Sequence, residues 1–110
     1  MSLQKVGNFS LHNGGGFVAR MKFAYIDDEG QKKSTRETGD ILLGQTKTAK
    51  LEEFDIPDGA LVYLHVDVVW GKDNKAARAF TYERGNTCTA AYTITGTTLS
   101  NTLGLIDVNC

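Results

Sequence analysis

A chain of 110 residues with 12 basic and 13 acidic side chains and 41% apolar residues makes one domain, large enough to bury a core without staples. The net charge of -1 excludes the broad basic field of a nucleic-acid binder, and the apolar content excludes intrinsic disorder. No apolar run reaches the roughly 18 residues of a membrane-spanning helix, and residues 1–6 lack the apolar stretch of a secretory signal, so the chain is expected to be either cytosolic or processed before residue 1, its compartment otherwise open.

The first punctuated stretch is His12-Asn13-Gly14-Gly15-Gly16-Phe17. Gly14, Gly16 and Ala19 formally satisfy a relaxed dinucleotide fingerprint, but that motif works by aiming a helix N-terminus at a pyrophosphate. Here a strand pattern follows. The run is therefore expected to be a flexible loop between the first two strands, feeding Phe17 into the core.

From 17 to 25 the odd positions read Phe17, Ala19, Met21, Phe23 and Tyr25, with Arg20 and Lys22 between them. Such alternation gives one buried and one wet face. Asp27-Asp28-Glu29-Gly30 reads as a turn, and the polar residues 32–36 read as an edge strand. Lys32, Lys33 and Arg36 on that edge have no interleaved aromatics, which suits edge protection better than nucleic-acid binding. Asp27, Asp28, Glu29, Asp55 and Asp58 lack the ligand spacing of a calcium loop. Ile41-Leu42-Leu43 forms a short apolar run, a strand is expected over 48–54, and Ile56-Pro57-Asp58-Gly59 closes it with a turn.

The strongest strand signal covers 60–70, ALVYLHVDVVW, where Val62, Leu64, Val66, Val68 and Trp70 share the phase expected to face inward. Tyr63, His65 and Asp67 then face outward. Residues 71–74, Gly-Lys-Asp-Asn, form a hairpin loop into a strand over 76–83, with Phe80 and Tyr82 on one face. The expected register pairs Val68 with Phe80, Val66 with Tyr82, His65 with Glu83 and Asp67 with Thr81. Arg84-Gly85-Asn86 turns the chain into a strand over 87–95, and 103–108 makes the last one.

Seven to nine short strands joined by turns define an all-β domain: an antiparallel two-sheet β-sandwich of immunoglobulin-like size, with a small barrel as the alternative. Cys88 and Cys110 match no zinc spacing and are expected to be free thiols; a bridge between them would tie the last strand to its neighbour. The tail YTITGTTLSNTLGLIDV resembles the closing strands of small lipid-binding β-sandwich proteins of the aegerolysin kind. The resemblance covers under a fifth of the chain, lacks tryptophan-rich segments, and assigns no residue a role.

No nucleophile stands at a signature spacing to His12 or His65, so an enzyme is not expected, and no cofactor is implied. A His65, Asp67, Glu83 cluster has the chemistry for a metal or acid-base work, but on a flat sheet face it reads first as a solvated cross-strand pair. What remains is a binding module recognising carbohydrate or a protein surface, with Tyr63, His65, Asp67, Trp70, Lys72, Asp73 and Asn74 as candidate ligand-binding residues. Trp70 beside Asp and Asn suits a sugar, although its phase favours the core. Trp70, Tyr63 and Tyr92 suit equally an anchor at a membrane interface, which makes a membrane-active, cytolysin-like protein the alternative. A structural accessory domain that only self-associates is the second. The partly apolar face of Leu61, Tyr63 and Val69 would serve a homo-oligomer.

Overall fold

The computed structural model describes residues 3–110, and over them the chain is all-β, two sheets packed face to face. The strands are β1 (Lys5–Val6), β2 (Asn8–Gly15), β3 (Ala19–Ile26), β4 (Lys32–Ser34), β5 (Thr46–Lys50), β6 (Leu61–Val68), β7 (Asn74–Lys75), β8 (Phe80–Tyr82), β9 (Thr89–Gly96) and β10 (Asn101–Asn109). One sheet runs β1-β8-β6-β3-β4 with β7 added on β6, and the other runs β10-β9-β2-β5. Both ladders are mixed, because β1 lies parallel to β8 and β2 parallel to β9. The chain crosses between sheets at Gly7, so its first two strands join opposite sheets beside strands from the far end of the sequence.

The core follows the alternation. Phe17, Ala19, Met21 and Phe23 are buried, as are Val62, Leu64, Val66 and Val68, and Phe80 with Tyr82. Phe9 on β2 is the hub between the sheets, with ring centroids 5.3 Å from Phe23, 5.6 Å from Phe80 and 6.1 Å from Tyr92. Tilted, edge-on and stacked contacts of this kind add about 0.5–1.5 kcal/mol each beyond the area they bury. The expected edge strand is there: β4 ends its sheet, with Lys32, Lys33 and Ser34 all exposed. The turn before β6 closes through the Ala60 N–H donating to the Pro57 carbonyl at 3.1 Å.

Several expectations are corrected. The strand expected over 48–54 stops at Lys50 and tightens into a 3-10 turn over Leu51–Glu53, which buries Leu51. Of Ile41-Leu42-Leu43 only Ile41 is buried, in a bridge to Ala19. The hairpin after β6 is tighter than expected: Val66 pairs with Asn74 and His65 with Lys75, and after an irregular stretch Val62, not Val68, faces Phe80. His65 therefore does not meet Glu83, which pairs with Lys5 Nζ at 3.4 Å. Cys88 and Cys110 are bridged, not free. The bridge closes a sequence separation of 22 residues, worth about 3 kcal/mol by the chain-entropy argument.

The glycine run is also not a loose loop. His12 to Gly15 continue β2, and Asn13 has no solvent exposure. Its side-chain amide donates to the carbonyls of Phe17 (2.6 Å) and Ile41 (2.9 Å), while its Oδ1 accepts from the Gly15 N–H at 2.9 Å. A Cβ at Gly15 would run into the Phe17 ring, so glycine there is a packing requirement rather than a source of mobility.

Candidate functional site

Four loops gather at one end of the sandwich. β3 begins with Ala19, which pairs with the last residue of β6, Val68, and bridges Ile41. The Gly16 N–H donates to the Gly96 carbonyl at 3.0 Å, and the Gly44 N–H to the Asn13 carbonyl at 2.7 Å. The Lys72 N–H donates to the Thr98 carbonyl at 2.7 Å. Gly71 packs so closely on that carbonyl that a Cβ would overlap it. Segments 16–18, 41–45, 69–73 and 97–100 are thus tied into one surface.

The tips of that surface are apolar. Trp70 is 97% exposed, Leu99 75%, Leu43 65% and Leu42 48%. Trp70 does not follow the phase of β6 into the core, because the strand ends at Val68 and the chain turns, the Gly71 N–H donating to the Val68 carbonyl at 3.1 Å. Within that turn Trp70 takes the left-handed conformation, φ 59°, which costs a residue with a side chain about 1–2 kcal/mol. A strained backbone and a fully solvated indole together give the isolated fold no benefit, and unexplained strain of this kind marks functional positions.

The loop carrying Trp70 is held by its polar neighbours. Asp73 Oδ1 accepts from the Val68 N–H at 3.0 Å, and Asn74 Nδ2 donates to Asn101 Oδ1 at 2.8 Å. Asn74 is therefore engaged in joining the two sheets. Between the loops lies a shallow cleft of about 280 Å³ lined by Lys72, Asp73, Asn74, Leu99, Ser100 and Asn101. Tyr92, grouped with the exposed aromatics on sequence grounds, is instead buried against Phe9, its hydroxyl without a hydrogen-bond partner.

The outer face of β6 carries Tyr63, His65 and Asp67. His65 Nε2 lies 2.8 Å from Asp67 Oδ1 and 3.8 Å from Asp73 Oδ2, though not aligned for a hydrogen bond. Burial pushes the His65 pKa down, helped by the positive charges of Lys22 and Lys75 and opposed by Asp73. Two nearby carboxylates would ordinarily raise it; here desolvation wins, and Asp67 shares its charge with Lys22, 3.9 Å away. The ligand atoms of His65, Asp67 and Asp73 lie within 4.8 Å of one another, a donor set able to hold a divalent cation, with Lys22 supplying a competing positive charge. His12 sits on the other sheet, its Nδ1 2.8 Å from Thr46 Oγ1.

The expected residues thus divide between two places. Trp70, Lys72, Asp73 and Asn74 belong to the loop end, while Tyr63, His65 and Asp67 lie on the adjoining sheet face. Leu42, Leu43 and Leu99 were not singled out; the signal was apolar side chains amid turn-forming residues, LLGQT and TTLSNT.

In fold the chain is a two-sheet sandwich, and domains of several toxins superpose on it. The membrane-binding domain of pneumolysin superposes with a TM-score of 0.51 at 15% identity, over 94% of this chain and 98% of that one. The cytotoxin suilysin from Streptococcus suis gives 0.51 at 14% identity, over 94% of this chain and 24% of its own. Listeriolysin O gives 0.50 at 16%, over 94% of this chain and 22% of its own. The chain spans about a quarter of the whole toxins, and at these identities the likeness is one of fold. No protein-family model matches the sequence, and no curated protein is similar to it.

Proposed function

We propose that this protein is a non-catalytic module that docks on lipid membranes through its loop end. The observation that carries the reading is Trp70, held in a left-handed turn with its indole 97% exposed, on the same loop end that exposes Leu99. Aromatic and leucine side chains on loop tips, ringed by polar backbone, suit the interfacial zone of a bilayer. The fold it shares with a membrane-binding domain supports the same reading. The disulfide suits an oxidising compartment, outside the cytosol.

Sedimentation with phosphatidylcholine–cholesterol vesicles that carry no sugar tests it. Burying the indole contributes about 2 kcal/mol, so Trp70→Ala is expected to weaken partition roughly thirtyfold. Equal sedimentation of both proteins, or of neither, refutes the reading. The carbohydrate or protein partner expected from sequence then becomes the main alternative, a purely self-associating role the next.

A further inference from the structure

A groove of about 250 Å³ crosses the outer face of the β1-β8-β6-β3-β4 sheet, separate from the loop tips. Its floor is Ala24, which lies opposite Tyr63 on one neighbouring strand and opposite Ser34 on the other. One short side chain between two longer ones leaves the depression. Lys22, His65 and Lys75 line up along the next row, Lys22 opposite His65 and His65 opposite Lys75. Lys32 closes the edge from β4.

The groove is basic. The chain as a whole carries -1, yet three lysines converge here. Among the described residues, ion pairs engage Lys5, Arg20, Lys22, Lys33 and His65, leaving Lys32 and Lys75 without a carboxylate. Their ammonium groups, with the Ser34 hydroxyl, give a set of donors suited to an anion. The half-buried Tyr63 ring supplies the flat apolar surface that sugar C–H faces pack against.

We propose that this groove binds an acidic saccharide, one ring lying against Tyr63 with its carboxylate or sulfate among Lys22, Lys32 and Lys75. Position favours a saccharide over a phospholipid headgroup, a step that rests on the membrane reading. The Lys22–His65 row stands three residues back from the Ala19–Val68 pair at the loop end, or about 10 Å at the rise of a strand. With the loop tips in a bilayer interface, the groove faces sideways above the phosphate plane. A glycan standing off the surface reaches it; a phosphate in the plane does not.

The full chain, free of vesicles, is titrated with sialyllactose and with sulfated lactose, using lactose and inorganic sulfate as controls, by calorimetry and amide NMR. Saturable binding of an acidic sugar is expected, with shifts at Ala24, Ser34, Tyr63 and Lys75. Lys32→Glu with Lys75→Glu should weaken it about tenfold or more, since two charge-assisted contacts are reversed. Lys32→Ala with Lys75→Ala repeats the test without introduced repulsion, and both lysines are exposed, so neither pair endangers the fold. Trp70→Ala should leave the affinity unchanged, which separates this site from vesicle docking. Equal affinity for lactose or for bare sulfate, shifts confined to other surfaces, or indifference to both lysine pairs would overturn the proposal. So would sugar-free phosphatidylserine vesicles whose binding the lysine pairs abolish, because the occupant would then be a headgroup.

Discussion

Asn13 holds Ile41 in place: the side-chain amide of one donates to the main-chain carbonyl of the other at 2.9 Å, with Asn13 out of contact with solvent. The remaining amide hydrogen goes to the Phe17 carbonyl. One buried side chain thereby fixes both the 16–18 segment and the start of the loop that leaves Leu42 and Leu43 outside. Asn13→Ala leaves the Phe17 carbonyl and the Gly15 N–H without these partners, while the Ile41 carbonyl keeps the Ala19 N–H; at about 1–3 kcal/mol for each stranded group, a loss near 3 kcal/mol is expected in the free energy of urea unfolding. Wild-type stability in this variant would mean that the amide is not the tie.

Trp70 makes the opposite prediction. Glycine accepts the left-handed conformation freely, so Trp70→Gly should leave stability unchanged or raise it by about 1 kcal/mol, while vesicle sedimentation falls as for alanine. Thermal unfolding reads the first effect and sedimentation the second. A destabilised Trp70→Gly would show that the indole is part of the fold after all.

The pattern of apolar residues made the sandwich legible because its faces are set by a period of two, which Met21, Phe23, Val62 and Leu64 all keep. What the period does not contain is the crossing at Gly7 or the parallel pairing of β2 with β9, since these depend on contacts about 80 residues apart in sequence. Trp70 lay on the right phase for burial but one turn too late, and no alternation rule reports where a strand ends. Tyr63, His65 and Asp67 do lie on the outer face, but half-buried there rather than wet. Their basic neighbours were hidden because they come from β3, β4 and β7, and the register that brings Lys75 rather than Glu83 to His65 is set by a hairpin tighter than expected.

Tyr92 offers a test of the core rather than the surface. Its ring stacks near Phe9 while its hydroxyl, buried, finds no partner, and burial pushes its pKa up. Removing an unsatisfied buried hydroxyl removes its desolvation cost, so Tyr92→Phe should be neutral or stabilising by about 1 kcal/mol. Chemical denaturation of the two proteins side by side measures the difference. A clear loss would reveal a hydrogen bond through bound water.

His65 links stability to pH, with a sign opposite to that of a histidine gaining a salt bridge. Its folded pKa is lowered from the ordinary 6.5 by burial, with Lys22 and Lys75 adding to the effect and Asp73 opposing it; Asp67 completes the charged groups facing the ring. The unfolded chain therefore takes up the proton first on acidification. Where the unfolded state binds more protons, stability rises with pH, so the His65 contribution is fully present above about pH 6.5 and is lost as pH falls through the lowered folded value. Urea midpoints measured from pH 7.5 down to about pH 5 should fall more steeply for the wild type than for His65→Gln. The imidazole C–H resonances of His65 should titrate below 6.5 in the folded protein. A midpoint above that value would mean that Asp67 and Asp73 outweigh burial, and the wild type would then gain stability, relative to the glutamine variant, on the acid side.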